Sequence, residues 1–342
     1  MRLGVLTGGG DCPGLNAVIR AAVRTGEARG ETSFVGFNDG WRGVLEDQAV
    51  ELDPPTTRGL LHRGGTMLGS SGVNPMRRPD GPDLVQTAME AHELDGLIAI
   101  GGEGTLGAAA ELADLGVPIV GVPKTIDNDL PGTDVTVGFH TAVQVATDAI
   151  DRLHTTAESH DRVIVIEVMG RHAGWIALYA AMTGGADMLL IPEMPFDIEE
   201  ACRHLRHRHM HTNSFSIVVV AEGAEPMAGT MAQPEYPVDE NGFPRLGGIA
   251  NLVAPEIEQR TGYDTRVTIL GHVQRGGTPV AFDRLLATRF GIAAVDLAHA
   301  GGWGRMVSRK GQDVADVPLR EATGPRKVVP HDLYREAEIF FG

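Results

Sequence analysis

Along the chain the apolar positions fall into short, continuous runs rich in β-branched residues. The clearest are residues 3–6, 97–100, 119–122, 163–168, 188–191, 217–220 and 267–270, and most stop at a glycine, a proline or a charged residue. Runs this short, without polar alternation, fit strands buried on both faces of a parallel sheet. Between them lie helix-length stretches at 15–28, 106–115, 141–153 and 198–209. Strand and helix in turn predict an α/β fold with right-handed crossovers. The least regular segment, 225–245, carries four prolines and reads as a surface insertion, not a domain boundary.

Composition refines this picture in two places. Glycine supplies 45 of 342 residues, against a usual share of about 7%. The glycines follow no collagen period and gather at the ends of the apolar runs. The formal charge is −16, which argues against a general nucleic-acid binder or a polybasic membrane anchor. At 342 residues, two domains are expected. Cys12 and Cys202 cannot build a disulfide framework. The opening run shows no signal-peptide pattern, and no apolar stretch approaches the roughly 18 residues of a membrane span. A cytoplasmic protein without membrane or nucleic-acid partners is expected.

In open α/β sheets, ligands bind beyond the carboxyl ends of the strands, so the loops after each run carry most of the chemistry. The first is Thr7-Gly8-Gly9-Gly10-Asp11-Cys12-Pro13-Gly14-Leu15-Asn16. Its glycines let backbone N–H groups approach a phosphate, and a helix N-terminus follows; taken alone it is as often a tight turn. Gly101-Gly102-Glu103-Gly104-Thr105 adds a carboxylate and a hydroxyl, oxygen ligands suited to Mg²⁺. Its likeness to the first loop reflects similar turn demands. Pro123-Lys124-Thr125-Ile126-Asp127-Asn128-Asp129 sets two carboxylates beside a lysine, a pairing that can divide proton abstraction from charge neutralisation. Glu167-Val168-Met169-Gly170-Arg171-His172 ends a strand on an arginine, which suits phosphate. Glu222-Gly223 and Gly271-His272-Val273-Gln274-Arg275-Gly276-Gly277 close the series. The basic, His-rich run 203–211 reads as a solvated helix face, and Cys12 as a packing residue.

In this order and spacing, these strings resemble the 6-phosphofructokinase family almost from end to end. The resemblance implies two Rossmann-like lobes with mainly parallel sheets, the phosphofructokinase fold, with the site in the cleft between them. Residues 1–138 plus about 274–323 would bind the donor, and 139–273 plus about 324–342 fructose 6-phosphate. It implies transfer of a phosphoryl group from Mg²⁺-ATP to the sugar's 1-hydroxyl, a glycolytic step. Asp127 matches the general base, Arg171 the stabiliser of transition-state charge, Thr125 a neighbour of the transferring group, and Asp129 a helper. Gly10, Gly101, Gly102, Glu103, Gly104, Thr105 and Lys124 match the donor loops, with Glu103 as the magnesium ligand. Arg162, Arg266, His272 and Arg275 match residues on the sugar 6-phosphate, with Val273 and Gln274 in the same turn. Met169, Gly170 and Glu222 match sugar contacts. In the family Arg162 and Arg266 come from a neighbouring subunit, so a homo-oligomer is expected, a homotetramer being the usual assembly.

Departures from the family pattern set further expectations. Glu103 replaces an aspartate, and Gly72 stands where an arginine often reaches the donor, leaving that task to Arg77 or Arg78. An effector-site arginine falls at His154, and the usual lysines near 211–213 are His211-Thr212-Asn213. Arg20 and Arg24 remain, so activation by ADP and inhibition by phosphoenolpyruvate are expected to be weak or altered. Pyrophosphate enzymes typically carry Asp and Lys at 104 and 124, ATP enzymes glycine at both. Gly104 with Lys124 mixes the two, and room at Gly104 favours ATP. A pyrophosphate-dependent phosphotransferase is the alternative, and a non-catalytic sugar-phosphate or nucleotide sensor the reading from another class.

Overall fold

The computed structural model describes all residues except 31, 212–213, 235, 238–245 and 342. Much of the expected insertion at 225–245 thus lies outside the described residues, as do Thr212 and Asn213. The strands are β1 Arg2–Thr7, β2 Ser33–Phe37, β3 Ala49–Leu52, β4 Gly96–Gly101, β5 Ile119–Pro123, β6 Val163–Val168, β7 Met188–Leu190, β8 Ser216–Ala221, β9 Thr265–Ile269, β10 Arg305–Lys310 and β11 Asp313–Pro318. They divide between two compact units. One comprises Met1–Ile126, Leu130–Thr141 and Arg275–Arg326; the other Asp127–Asp129, Ala142–Gln274 and the residues from Lys327 on.

The first unit holds a sheet of order β11-β10-β5-β4-β1-β2-β3. Its five central strands are parallel, and β3 and β11 close the edges antiparallel. The chain leaves β1 towards β2 and later returns to β4 on the other side of β1. That reversal between β1 and β4 is a topological switch point, where α/β sheets bind ligands. β1, β4 and β5 are almost wholly buried, as their unbroken apolar runs require. Leu97, Leu106, Phe37 and Trp41 lie in the core against them.

The second unit has a parallel sheet of order β7-β8-β6-β9, with a second switch between β6 and its neighbour β9. β6 and β8 are buried throughout, while β9 is an edge and largely exposed. Both sheets are the parallel α/β type the apolar runs predict. The run at 267–270 begins two residues earlier than expected, because β9 opens on the polar Thr265-Arg266 pair. The edge strands β3 and β11 carry no clear run, since an edge strand with one wet face needs little apolar sequence.

A buried carboxylate fixes the start of the helix Phe139–Ser159. Asp283, in the first turn of the helix Ala281–His299, accepts from the Gly138 N–H (3.1 Å), the Thr141 N–H (2.7 Å) and the Thr141 hydroxyl (2.6 Å). Burial pushes its carboxyl up from 3.8 to about 6, against those hydrogen bonds. The folded chain therefore holds a proton that the unfolded chain has lost between about pH 4 and 6, and this contribution to stability falls as pH rises through that window. Asp283→Asn removes the titration. Its stability deficit relative to the unsubstituted protein should be larger at pH 4 than at pH 7 by about 2–3 kcal/mol, read by urea unfolding at both pH values. An equal deficit at both would show that Asp283 does not titrate in this range.

Candidate active site

At the first switch point the loops after β1 and β4 are stitched together, the Gly8 N–H donating to the Ile100 carbonyl at 3.0 Å. Gly9 has φ +77°, a conformation that a side chain would strain. The segment 64–71 forms a wall beside the loop: the Gly9 N–H donates to Ser71 O at 2.9 Å, and the Thr7 hydroxyl to Gly69 O at 2.7 Å. Together they line a recess of about 480 Å³ formed by Gly9, Gly10, Asp11, Gly65, Thr66, Gly69 and Ser70. The irregular wall was missed in the sequence because it has no periodicity; its Gly69-Ser70-Ser71 string was the available signal.

Three side chains pack under or against this loop. Thr105 is buried beneath the loop, its side chain filling the space that a Cβ on Gly8 or Gly101 would take. The helix Glu103–Asp114 is capped at Gly102 without a side-chain bond, so Thr105 packs and does not cap. Lys124 is 1% exposed, and its ammonium donates to Gly8 O (2.8 Å) and Gly10 O (2.6 Å). It thus pins the glycine loop from beneath instead of reaching out to a donor. Arg275, expected on the sugar phosphate, belongs to this first unit and lays its guanidinium against Gly10, where a Cβ would overlap it. Its Nε is buried with no hydrogen-bond partner among the described residues, a donor suited to an anion.

Glu103 is 65% exposed at the head of its helix, 3.7 Å from Arg326. No group of three or more His, Cys, Asp or Glu side chains fit to hold a metal occurs among the described residues. Magnesium suits such a place, since it takes one or two carboxylates and completes its shell with water and phosphate oxygens. Gly104 faces open space, with nothing within 4 Å of a Cβ built there. Gly72 is likewise open, while Arg78 is paired with Asp80 at 2.8 Å.

In the second unit the ends of β6, β8 and β9 gather the other half of the chemistry. Glu222, after β8, accepts from the N–H groups of Arg171 (3.0 Å) and Gly170 (3.3 Å), fixing the turn after β6. That turn is strained, with Gly170 at φ +142° and Arg171 at +53°. It also passes so close that a Cβ on Gly223 would lie 1.9 Å from the Arg171 carbonyl. Burial pushes the Glu222 carboxyl above its usual range; the Arg171 N–H pulls it down, and the nearby charge of Asp127 pushes it up again. Asp127 is itself 6% exposed. Asp127, the arginine turn and Glu222 are therefore brought together. His272 and Val273 are exposed in the turn after β9. The Gln274 amide is fully buried, accepting from the Met169 N–H (3.3 Å) and donating to the Gly271 carbonyl (3.1 Å), so its side chain props the Met169 loop.

A family model for phosphofructokinase matches residues 2–298. The chain belongs to the phosphofructokinase family. Two curated relatives span the full length of both chains: the pyrophosphate–fructose 6-phosphate 1-phosphotransferase of Streptomyces coelicolor, 57% identical over 343 residues, and the ATP-dependent 6-phosphofructokinase of Mycobacterium tuberculosis, 57% identical over 345. Among solved structures, phosphofructokinase from Saccharomyces cerevisiae superposes with a TM-score of 0.80 at 32% identity, over 94% of this chain and 45% of that one.

In this phosphofructokinase Arg162 and Arg266 do not join the gathering around Glu222. Arg162 precedes β6, and the parallel register pairs Arg266 with Ile164 at the same amino end of the sheet. Both guanidiniums pair with Asp264. Met169 and His272 follow the carboxyl ends, about 20 Å away at 3.3 Å per residue. The effector-type position His154 gives its Nε2 to a hydrogen bond with the Gly184 carbonyl at 2.7 Å. On the helix Ile198–His211 the basic face is not wholly solvated: Arg208 pairs with the buried Asp187 at 2.7 Å, and His207 stacks on His211. Cys12 is buried, pushed up to about 12 by burial, so it packs as expected. No helix among the described residues is long and apolar enough to cross a membrane.

Proposed function

We propose that this phosphofructokinase transfers the terminal phosphoryl group of ATP to the 1-hydroxyl of fructose 6-phosphate, yielding fructose 1,6-bisphosphate and ADP. Asp127 accepts the hydroxyl proton as the new P–O bond forms and the bond to the leaving ADP breaks. Glu222 shapes the Arg171 turn, and the Arg171 guanidinium offsets charge on the phosphoryl oxygens in transfer. Thr125 and Asp129 flank the base. Backbone N–H groups of the glycine loop, held open by the Lys124 ammonium, cradle the donor phosphates, with Arg275 against Gly10 as a further cation. Magnesium, held at Glu103, would screen the donor's phosphate charge. The enzyme is read as a cytoplasmic homotetramer in which Arg162 and Arg266 serve the 6-phosphate of a neighbour's site.

The choice of ATP rests on the open space at Gly104. A carboxylate there would stand where an α-phosphate and its nucleoside need room, whereas glycine leaves both free to enter. Lys124 does not oppose this, because its ammonium is bound to the loop carbonyls. Pyrophosphate remains the second reading because the Streptomyces relative is named for that donor. A coupled assay offering fructose 6-phosphate with either donor decides between them: turnover with pyrophosphate alone would overturn the ATP reading. Gly104→Asp should fold normally, since an acidic residue suits a first helical turn. It should lower kcat/KM for ATP by about 10²-fold, the effect of a like charge worth several kcal/mol. Unchanged ATP kinetics would refute the steric argument.

A further inference from the structure

Only three of the chain's 29 basic residues are lysines: Lys124, Lys310 and Lys327. Lys124 holds the donor loop. Lys327 lies beside the other chemical segment, in the second unit, although 199 residues separate it from its partner. Its ammonium donates to the Asn128 side-chain oxygen at 3.0 Å, and its backbone N–H donates to the Asp129 carbonyl at 2.9 Å. Two bonds from one residue thus grip the stretch directly after Asp127. That stretch needs holding, because Asn128 is buried and sits at φ +53°, a left-handed conformation that few residues other than glycine and asparagine adopt.

The same residue reaches the arginine turn. The Lys327 carbonyl accepts from the indole N–H of Trp175 at 2.8 Å, and its ammonium lies 5.6 Å from the centre of the Trp175 ring. Two residues on, the Val329 N–H donates to Glu193 at 2.9 Å, and Glu193 accepts from the Gly174 N–H at 3.0 Å. A short C-terminal strap therefore binds the base segment on one side and the end of the Arg171–Trp175 turn on the other. Its targets, a single amide oxygen and a ring face, ask for a cation with a donor N–H and not for a bidentate fork, so the charge matters more than the shape of the head group.

We propose that Lys327 is a positioning residue for phosphoryl transfer. It touches neither substrate; it fixes the backbone that carries Asp127 and ties that backbone to the turn that carries Arg171. Since misplacement of a reacting group by about 1 Å can cost 10²-fold in rate, the effect falls on kcat and not on binding.

The inference rests on the reading of Asp127 as the base, and kinetics of Lys327→Met, Lys327→Arg, Asn128→Ala and the Met/Ala double variant test it alongside Asp127→Asn. Lys327→Met should lower kcat by about 10–100-fold, leaving KM for fructose 6-phosphate and for the productive donor within about twofold. Lys327→Arg should recover most of that loss. Asn128→Ala should reproduce it, and the double variant should be no slower than the slower single one. The defect should be the same whichever donor supports turnover. A kcat for Lys327→Met within twofold of the unsubstituted enzyme would overturn the proposal, as would fully additive losses in the double variant. Should Lys327→Met not fold, Asn128→Ala decides on the same criterion, a kcat within twofold of the unsubstituted enzyme overturning the proposal. If Asp127→Asn stays active, the base assignment fails; if it is inactive while Lys327→Met is not impaired, only the positioning role fails.

Discussion

Asp127→Asn lowers kcat by about 10²–10⁴-fold, the usual share of a general base, while fructose 6-phosphate still binds. The asparagine keeps the shape and one acceptor oxygen but cannot take the hydroxyl proton. Neighbouring Glu222 serves the turn instead, its Oε1 accepting from the Gly170 and Arg171 N–H groups. Steady-state kinetics with equilibrium binding of the sugar phosphate make the check. Turnover within tenfold of the unsubstituted enzyme would remove Asp127 from the chemistry, and a parallel loss of sugar binding would make it a binding group instead.

In the proposed homotetramer, Arg162→Ala should act on the sugar side and on a neighbouring chain's site. A charge-assisted hydrogen bond to phosphate is worth about 1.5–3 kcal/mol, so KM for fructose 6-phosphate should rise by about 10–100-fold, with a smaller change in kcat. The placement of Arg162 at the amino end of β6, opposite the loops of Met169 and Glu222, gives the sharper test. Oligomers mixed from Asp127→Asn and Arg162→Ala chains should recover activity at low sugar concentration, because an intact base on one chain meets an intact arginine on the other. If each chain supplied its own arginine, the mixture would do no better than the sum of its parts.

The loops at 8–10, 101–105, 123–129, 167–172 and 271–275 were legible because buried parallel strands leave unbroken apolar runs, and the residues that follow each run stand out. Gly104 and Glu222 lie where that reading puts them. The positions of Arg162 and Arg266 were legible too, since both precede their runs while the other sugar-site candidates follow theirs. Side-chain direction was not. Lys124, Thr105 and Gln274 are polar residues in the right loops whose polar atoms turn inward, to carbonyls or packing partners supplied by distant segments. The wall at 64–71 and the strap at 327–329 lack periodicity altogether. They became visible only through hydrogen bonds that close over long stretches of chain, such as Lys327 to Asn128.

The seclusion of Lys124 also shapes the covalent chemistry open to this protein. With Lys124 sealed beneath the glycine loop and Lys327 half-buried, Lys310 is the one lysine in full contact with water. Among its lysines, acylating tags, cross-linkers and amine-coupled surfaces will therefore meet the chain at Lys310, on the β10–β11 hairpin. Such attachment leaves the charge under the phosphate loop intact, so the enzyme can be tethered through its amines without disarming its donor side.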